Sequence, residues 1–354
     1  MELSHIRVIG SGLIGGSIGL GLVQRGLYVE IVDVDPTAAQ LAKDLLAGAT
    51  ELSKPSDEPD LIVIATPLGA ISSVLKEQMN SSVKYGFMDV ASVKTKVLQD
   101  VLSSGLSRDR FLLSHPMAGR EVGGAHSARA DLFVSRPWLI DPTDTSSDLI
   151  SAGRALIELL GATPIIVDSN DHDQAVALVS HLPQVISSLL AKQLNSAQPQ
   201  WLSLAGAGLR DTVRIAGSSP SLWKEIISFN CGALAPFLQS FIKDAQALLD
   251  HLSDEAFVEE LIKDGNNGRE QIPGKHGGRA RNYSYLPIVI EDKPGQLAAL
   301  FDECANAGVN VEDLAIEHSP GQFTGLITLA LSHDDSAKLS QHLANRGWNV
   351  HAAR

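Results

Sequence analysis

Three polar side chains follow predicted strands at the point where each strand ends. Thr66 follows the third apolar stretch, Ser92 follows Gly86–Val90, and His115 follows Phe111–Leu113. In open α/β sheets, ligands bind beyond the carboxyl ends of the strands. A histidine can take a proton from a substrate hydroxyl near neutral pH, and a serine can hold that oxygen in place. The pattern predicts His115 as a general base and Ser92 as its partner.

A second set of polar residues lies in an otherwise apolar, helix-like stretch. His181 is found in S-H-L-P, and Arg214 lies shortly before Trp223. Arginine can grip a carboxylate through two parallel hydrogen bonds, so Arg214 is a candidate anion clamp. A core histidine bonded to a backbone carbonyl is the alternative for His181. An exposed ion pair of little energetic value is the alternative for Arg214.

A glycine turn near the N-terminus, G-S-G-L-I-G, lies between an apolar strand and a small-residue helix. Gly10 permits the tight turn, Gly12 lets a pyrophosphate approach the backbone, and Gly15 allows close packing of helix on strand. Asp33 ends the next apolar stretch, where an acid bonds the adenine ribose and repels a 2′-phosphate. These features predict a site for NAD rather than NADP. The predicted cofactor-binding residues are Gly10, Gly12, Leu13, Ile14, Gly15, Asp33, Thr66 and Pro67.

The elements that must position these residues fall into successive regions. Residues 1–168 alternate short β-type runs with helical patterns, which predicts an α/β domain with a doubly wound parallel sheet. Residues 169–264 carry apolar helical periodicity and predict an all-helical domain. A glycine-rich polar stretch, 265–282, resembles a linker. Residues 283–354 follow the order β-α-β-β-α-β, which predicts a ferredoxin-like α+β domain.

Composition narrows the function class. The 354 residues contain 28 Lys and Arg against 41 Asp and Glu, a formal net charge of −13. This balance argues against nucleic acid or an anionic membrane surface as a partner. The two cysteines, Cys231 and Cys304, suggest neither a disulfide framework nor a metal site. With no signal peptide and no membrane-spanning stretch expected, the chain is predicted to be a cytoplasmic enzyme.

Taken together, the motifs resemble the prephenate and arogenate dehydrogenase family of tyrosine biosynthesis. The resemblance extends over the whole chain and rests on the N-terminal glycine turn and five further motifs, D-V-A-S-V-K, S-H-P-M-A-G-R-E, S-H-L-P-Q, D-T-V-R-I-A-G-S-S-P-S-L-W and D-K-P-G-Q-L. The ending of the chain, with D-K-P-G-Q-L and A-G-V-N-V, resembles an ACT domain, a regulatory module that binds amino acids. The resemblance implies an NAD-dependent oxidative decarboxylation of prephenate to 4-hydroxyphenylpyruvate.

The same resemblance implies a role for individual residues. His115 would be the catalytic histidine, with Ser92 on the substrate hydroxyl. Arg214 would bind a substrate carboxylate, His181 would line the pocket, and Glu121 falls on a family acid near the cleft. The helical block would be a dimerisation domain, so a homodimer is expected.

Two positions leave the choice of substrate open. Gln184 stands where a second histidine is common in the family, and Arg120 stands where a small polar residue is common. Both are predicted to face the substrate side chain. Arogenate, which would give tyrosine directly, is therefore the alternative substrate.

The C-terminal domain is predicted to bind an aromatic amino acid, with tyrosine as the expected ligand. The resemblance to ACT modules places the ligand where two such domains pair. The candidate contacts are Asp292, Gly295, Asn310 and Asp313. A purely assembling role for this domain is the alternative.

Other ACT-bearing oxidoreductases fit less well. Phosphoglycerate dehydrogenases place part of the substrate domain before the nucleotide fold, whereas the glycine turn here begins at Gly10. Homoserine dehydrogenases use a catalytic lysine on an α/β domain, whereas residues 170–263 look helical. A non-catalytic sensor of NAD and amino acids would not need His115, Ser92 and Arg214 together.

Overall fold

The chain is described by a computed structural model that covers residues 3–47, 58–120, 123–272, 283–318 and 323–353. Its internal contacts separate two units, Met1–Ala245 and Gln246–Arg354. The predicted α/β domain and most of the predicted helical domain therefore pack together in the first unit.

The first unit is built on a seven-stranded sheet in the order β2-β1-β3-β4-β5-β6-β7. Its strands are β1 (His5–Ile9), β2 (Tyr28–Val32), β3 (Leu61–Ile64), β4 (Gly86–Asp89), β5 (Phe111–Pro116), β6 (Pro137–Asp141) and β7 (Thr163–Ile166). Its helices are α1 (Leu13–Val23), α2 (Pro36–Ala47), α3 (Ile71–Gln78), α4 (Lys94–Ser104) and α5 (Ser147–Leu159). The strand order reverses between β1 and β3, the point where α/β sheets bind ligands.

The predicted doubly wound parallel sheet is confirmed except at one pair of strands. Strands β5 and β6 run antiparallel, whereas the other neighbouring strands are parallel. A parallel pair needs a crossover, usually a helix. The segment between β5 and β6 has only a short 3₁₀ turn in its described part, Ala125–Ser127, so β6 returns beside β5 in the opposite direction.

Both faces of the sheet are covered, as its near-continuous apolar strands predict. Along β3, Val63 packs into the core cluster that includes Ile18 of α1, whereas Ile62 packs into the opposite cluster that includes Val97 of α4. Side chains alternate between faces along a strand. A helical residue from beyond the sheet, Ile226, joins the second cluster and anchors the helical block there.

The helical block predicted from residue 169 onward is confirmed as helical. It comprises α6 (Ser169–Val176), α7 (Leu182–Gln193), α8 (Pro199–Leu202), α9 (Ala207–Val213), α10 (Pro220–Phe229) and α11 (Cys231–Asp250). The Asp168 carboxylate accepts the amide hydrogens of Asn170 and Asp171 and so caps α6. A π-helical turn, Ala177–His181, joins α6 to α7, and such turns are frequent at functional sites.

One continuous helix, Ser169–Ser196, is long and apolar enough to cross a bilayer by length and composition. The sequence predicts no such span. The helix carries buried His172, Asp173 and His181, which hydrogen-bond to residues of this chain. These contacts tie the helix to the first unit, although only 28% of its apolar window is buried within the chain.

The second unit contains α12 (Glu255–Glu270) and a four-stranded antiparallel sheet in the order β11-β8-β10-β9. The sheet module consists of β8 (Ser284–Glu291), α13 (Gln296–Asn306), β9 (Asp313–His318), β10 (Thr324–Leu331), α14 (His333–Asn345) and β11 (Asn349–Val350). Its connectivity is the predicted β-α-β-β-α-β arrangement.

Helix α12 extends six residues into the stretch predicted as a linker. The Asp254 carboxylate caps its N-terminus by accepting from the amides of Ala256 and Phe257. Residues 273–282 of that stretch lie outside the described residues.

Candidate active site

The glycine turn after β1 is shaped by backbone contacts that allow no side chain. Gly10 has φ +102°, and a Cβ there would lie 2.4 Å from the Ala65 carbonyl oxygen. A Cβ on Gly15 would lie 1.9 Å from the Gly10 carbonyl oxygen. Gly12 differs, because no described atom lies within 4 Å of a Cβ built on it. The turn therefore packs against the end of β3 at Gly10, closes on itself at Gly15 and leaves open space at Gly12.

The N-terminus of α1 faces this space without a cap. Gly12 supplies no capping side chain, and the first turn contains no acidic residue. The first amides of a helix have no intrahelical partner, so those of Leu13 and Ile14 are suited to an anion. Across the turn, the Thr66 hydroxyl oxygen is buried and has no hydrogen-bond partner in the described part of the chain. Pro67 follows it and precedes a 3₁₀ turn.

Asp33 is fixed at the end of β2. One carboxylate oxygen accepts from the Ser11 amide and the Ser11 hydroxyl, each at 2.7 Å, and the other accepts from the Asp35 amide at 2.9 Å. Burial alone would raise the pKa of Asp33, but these hydrogen bonds outweigh it and lower the pKa. An ionised carboxylate with lone pairs to spare thus stands beside the glycine turn. The open space, the uncapped amides and this acid fit a dinucleotide.

His115 lies near the end of β5, and its Nδ1 is 2.9 Å from Nε2 of His172. Nδ1 of His172 is in turn 2.8 Å from a carboxylate oxygen of Asp173. His172 and Asp173 begin the helical block and are almost fully buried, at 0% and 2% exposure. The tertiary structure therefore joins β5 to α6 through a chain of three polar side chains.

Asp173 is held in place by the start of α4. Its carboxylate accepts from the amides of Lys94, at 2.7 Å, and Thr95, at 2.9 Å, and from the Thr95 hydroxyl. Burial opposes ionisation, yet the hydrogen bonds from His172, Thr95 and Lys94 lower the pKa of Asp173. The group is therefore a buried, ionised carboxylate.

His181 occupies the π-helical turn and is also buried. Its Nδ1 lies 3.1 Å from the Asn230 amide nitrogen, which also donates to the backbone carbonyl of Asp173 at 2.9 Å. The Trp223 ring meets the imidazole edge to face, with centroids 5.9 Å apart. Because an amide nitrogen only donates, Nδ1 of His181 is the acceptor and Nε2 carries the hydrogen.

The histidines of this cluster are held neutral. Burial, followed by the positive charges that His172, Lys94 and His181 can carry, places the pKa of His115 well below its usual 6.5. Burial likewise lowers the pKa of His181 to about 4. A neutral imidazole at the end of β5 can accept a proton, which is what the sequence predicts for His115.

A buried ion pair beneath the cluster ties β4 to β5. The Lys94 ammonium contacts the Asp89 carboxylate and the Ser114 carbonyl oxygen, and Asp89 also accepts the Ser114 amide at 3.0 Å. Ser92 lies half-buried in the loop between Asp89 and Lys94. The pair holds this loop and the His115 segment at the same edge of the sheet.

The residues predicted to contact the substrate differ in their burial and hydrogen bonding. Gln184 is buried, donates to the Ser188 hydroxyl at 3.2 Å and accepts from the Ser218 hydroxyl at 3.3 Å. Arg214 begins a 3₁₀ turn that packs against α7, and its side chain is exposed in the single chain. Arg120 donates to the Ser127 carbonyl oxygen at 3.2 Å. Glu121 lies outside the described residues.

Sequence reasoning missed His172, Asp173 and Asn230. The run Asp171-His172-Asp173 just after a predicted strand is a signal that could have drawn notice. Its relevance depends on contacts between residues 57 and 79 positions apart, which no local pattern reveals.

The four candidate effector contacts of the C-terminal module do not meet within one chain. Asp292 and Gly295 follow β8 near the Glu291–Thr324 pair, whereas Asn310 and Asp313 lie near the other end of the sheet, where Asp313 pairs with Ala330. Six residues of β10 separate these ends, about 20 Å at the rise of a strand. All four residues are exposed. A shared site would need loops from two copies.

Comparison with known proteins gives a consistent result. The family model "Prephenate dehydrogenase, nucleotide-binding domain" matches residues 18–166, and "Prephenate dehydrogenase, dimerization domain" matches residues 168–263. The "Probable prephenate dehydrogenase NovF" of Streptomyces niveus is 29% identical over 96% of this chain and 98% of its own length.

Two solved structures share the fold. An arogenate dehydrogenase from Synechocystis is 28% identical, with TM-score 0.62 over 75% of this chain and 98% of its own. A prephenate dehydrogenase from A. aeolicus, solved with hydroxyphenyl propionate and NAD⁺, is 22% identical, with TM-score 0.66 over 76% of this chain and 99% of its own.

Proposed function

The chain belongs to the prephenate dehydrogenase family, and we propose from this premise that it oxidatively decarboxylates prephenate to 4-hydroxyphenylpyruvate with NAD⁺. The observation that carries the proposal is the neutral His115 at the sheet edge that also holds the open glycine turn. When bound, NAD⁺ supplies the acceptor for the hydride that leaves the hydroxyl-bearing ring carbon.

The chain's own residues supply proton transfer and orientation. His115 accepts the hydroxyl proton as the ring carbon is oxidised, and Ser92 holds the same oxygen. General-base catalysis of this kind contributes about 10²–10⁴-fold. His181, with its hydrogen on Nε2, donates to an oxygen of the substrate.

Arg214 is proposed to bind a substrate carboxylate. The overall charge of −13 repels an anionic substrate, so a local cation is needed to hold it. The proposed pocket is completed by Gln184 and Arg120. Since Gln184 already donates to Ser188 and accepts from Ser218, its amide presents a fixed polar surface to the substrate side chain.

The substrate choice is tested by following NADH formation with prephenate and with arogenate. We expect a higher kcat/KM with prephenate. A higher value with arogenate would assign the alternative activity, and no NADH with either would overturn both.

The helical block is proposed to pair two copies of the chain. The family model matching residues 168–263 is described as a dimerisation domain. Large apolar side chains are exposed on this block, among them Leu178, Val179, Trp201 and Leu204. Multi-angle light scattering should give twice the chain mass of 37.6 kDa, whereas a monomer mass would contradict pairing.

The C-terminal module is proposed to act as an ACT-type regulatory domain that binds tyrosine. Its ferredoxin-like strand order supports this, and its two candidate loops would meet across a pair of modules. If tyrosine weakens substrate binding, the substrate must weaken tyrosine binding by the same factor.

A further inference from the structure

Donor and acceptor roles along the chain from Asp173 to His115 follow from one another. Asp173 is ionised and can only accept, so the His172 Nδ1 that lies 2.8 Å away carries the hydrogen. His172 is neutral, because burial lowers its pKa, and its Nε2 is therefore an acceptor. The His115 Nδ1, 2.9 Å from that nitrogen, must then carry a hydrogen.

We propose that Asp173 and His172 are positioning residues that hold His115 as its Nδ1–H tautomer and leave Nε2 as the nitrogen that accepts the substrate proton. The inference rests on the proposed role of His115 as the base. No hydrogen bond reaches Nε2 of His115 from the described residues. A solvated neutral imidazole favours the opposite tautomer, which would present a hydrogen to the substrate hydroxyl instead of a lone pair.

The same chain stabilises His115 after it takes the proton. The imidazolium donates from Nδ1 to Nε2 of His172, and the charge of Asp173 lies beyond it. The other charged or titratable groups facing the cluster are Lys94 of α4, Asp89 of β4 and His181 of the π-helical turn. Lys94 opposes the imidazolium, and its ion-pair partner Asp89 reduces that opposition. The carboxylate of Asp173, aligned through His172, is the group that favours the imidazolium.

The arrangement also explains why both partners are so thoroughly buried. Asp173 receives four hydrogen bonds, two of them from the backbone of α4, so its position does not depend on His172 alone. A rigid carboxylate orients the first imidazole, and that imidazole orients the second. For metal-bound histidines, removing the partner that orients the ring typically costs about 10–100-fold in affinity or activity, and we expect a loss of the same order here.

The first test reads the tautomer of the substrate-free full-length enzyme by ¹⁵N NMR with labelled histidine. His115→Asn identifies the His115 signals. We expect a protonated Nδ1 and an unprotonated Nε2 in the unaltered protein, and a shift toward the Nε2–H form in His172→Phe. Either an Nε2–H tautomer in the unaltered protein or no change in His172→Phe would overturn the proposal.

The second test compares His172→Phe with His172→Gln, whose amide oxygen can still accept from Nδ1 of His115. We expect kcat to fall about 10–100-fold in His172→Phe with KM nearly unchanged, and less in His172→Gln. The acidic limb of the kcat/KM profile should move to lower pH in His172→Phe, because the imidazolium loses its acceptor. Equal losses in the two variants, or an unmoved limb, would count against the proposal.

His5→Phe is the matched control, since His5 is a fully buried histidine outside the cluster. It should leave the His115 tautomer and the pH profile unchanged even if it lowers the unfolding temperature. The tautomer is measured without substrate, so this measurement tests the role of Asp173 and His172 separately from the proposed dehydrogenase activity. An enzyme that turns over neither substrate refutes the proposed function, whereas a wrong tautomer refutes only this inference.

Discussion

The histidine cluster and the two proposed effector loops of the C-terminal module, around Asp292–Gly295 and Asn310–Asp313, use polar residues in opposite ways. His172, Asp173 and His181 are buried and bond to residues 49–79 positions away. In the loops, Asn310 bonds to Glu312 two positions on and is exposed. A buried polar group left without its partner costs about 1–3 kcal/mol, whereas an exposed one turns to water. The cluster is thus organised before any ligand arrives, whereas the loops present exposed polar groups to solvent.

The largest effect is expected from removing the base of the cluster. His115→Asn should lower kcat by about 10²–10⁴-fold while substrate affinity stays nearly normal, since proton removal belongs to the transition state. Single-turnover NADH formation and a substrate Kd measure the two quantities. If the variant keeps most of its kcat, His115 is not the base. The buried cluster would then differ from the exposed loops in structure but not in catalysis.

The next largest effect is expected on KM, from replacing the exposed Arg214, which lies outside the buried cluster. Arg214→Gln should raise KM about 10–100-fold, because a charge-assisted two-point grip on a carboxylate is lost. Arg210→Gln, an exposed change on α9, serves as the control and should leave KM unchanged. An unaltered KM in Arg214→Gln would assign Arg214 to structure.

A smaller change is expected at the nucleotide edge. Asp33→Ser should move the ratio of kcat/KM for NAD⁺ over NADP⁺ by about tenfold toward NADP⁺, roughly 1.4 kcal/mol, since the repulsion of a 2′-phosphate is lost. Asp35→Ser should move it less. Equal use of both cofactors by the unaltered enzyme would contradict the role of Asp33.

The pH dependence of kcat/KM in the unaltered enzyme tests whether burial keeps His115 neutral. A base whose pKa is lowered stays neutral, and active, as the pH falls through the ordinary value of 6.5. We expect kcat/KM to remain level at pH 6.5 and to decline only at lower pH. A midpoint at or above 6.5 would show that burial does not hold His115 neutral.

The smallest effect is expected in the effector loops. Asn310→Ala should weaken tyrosine inhibition about fivefold or more and leave uninhibited kcat unchanged. Gln341→Ala, an exposed change on α14, is the control. If tyrosine inhibits all three proteins equally, the module assembles the enzyme and does not sense tyrosine.

Features set by neighbours in the sequence were predictable. Gly15 is required because a Cβ there would strike the Gly10 carbonyl within the same turn, and the position of Asp33 follows from its strand. The spacing and number of apolar residues along the sequence likewise located the strands, the helical block and the ferredoxin-like module. His115 was recognisable because it ends a strand.

Only the tertiary structure showed the partners of these residues. The antiparallel β5–β6 pair arises from a connection without a crossover helix, and the separation of the two effector loops arises from strand order. The link from His115 through His172 to Asp173 closes only when α6 packs against β5 and α4. Steric requirements within a turn act between residues that are close in sequence, so the local sequence shows them. A hydrogen-bond network between distant residues forms only after packing has removed water from around it.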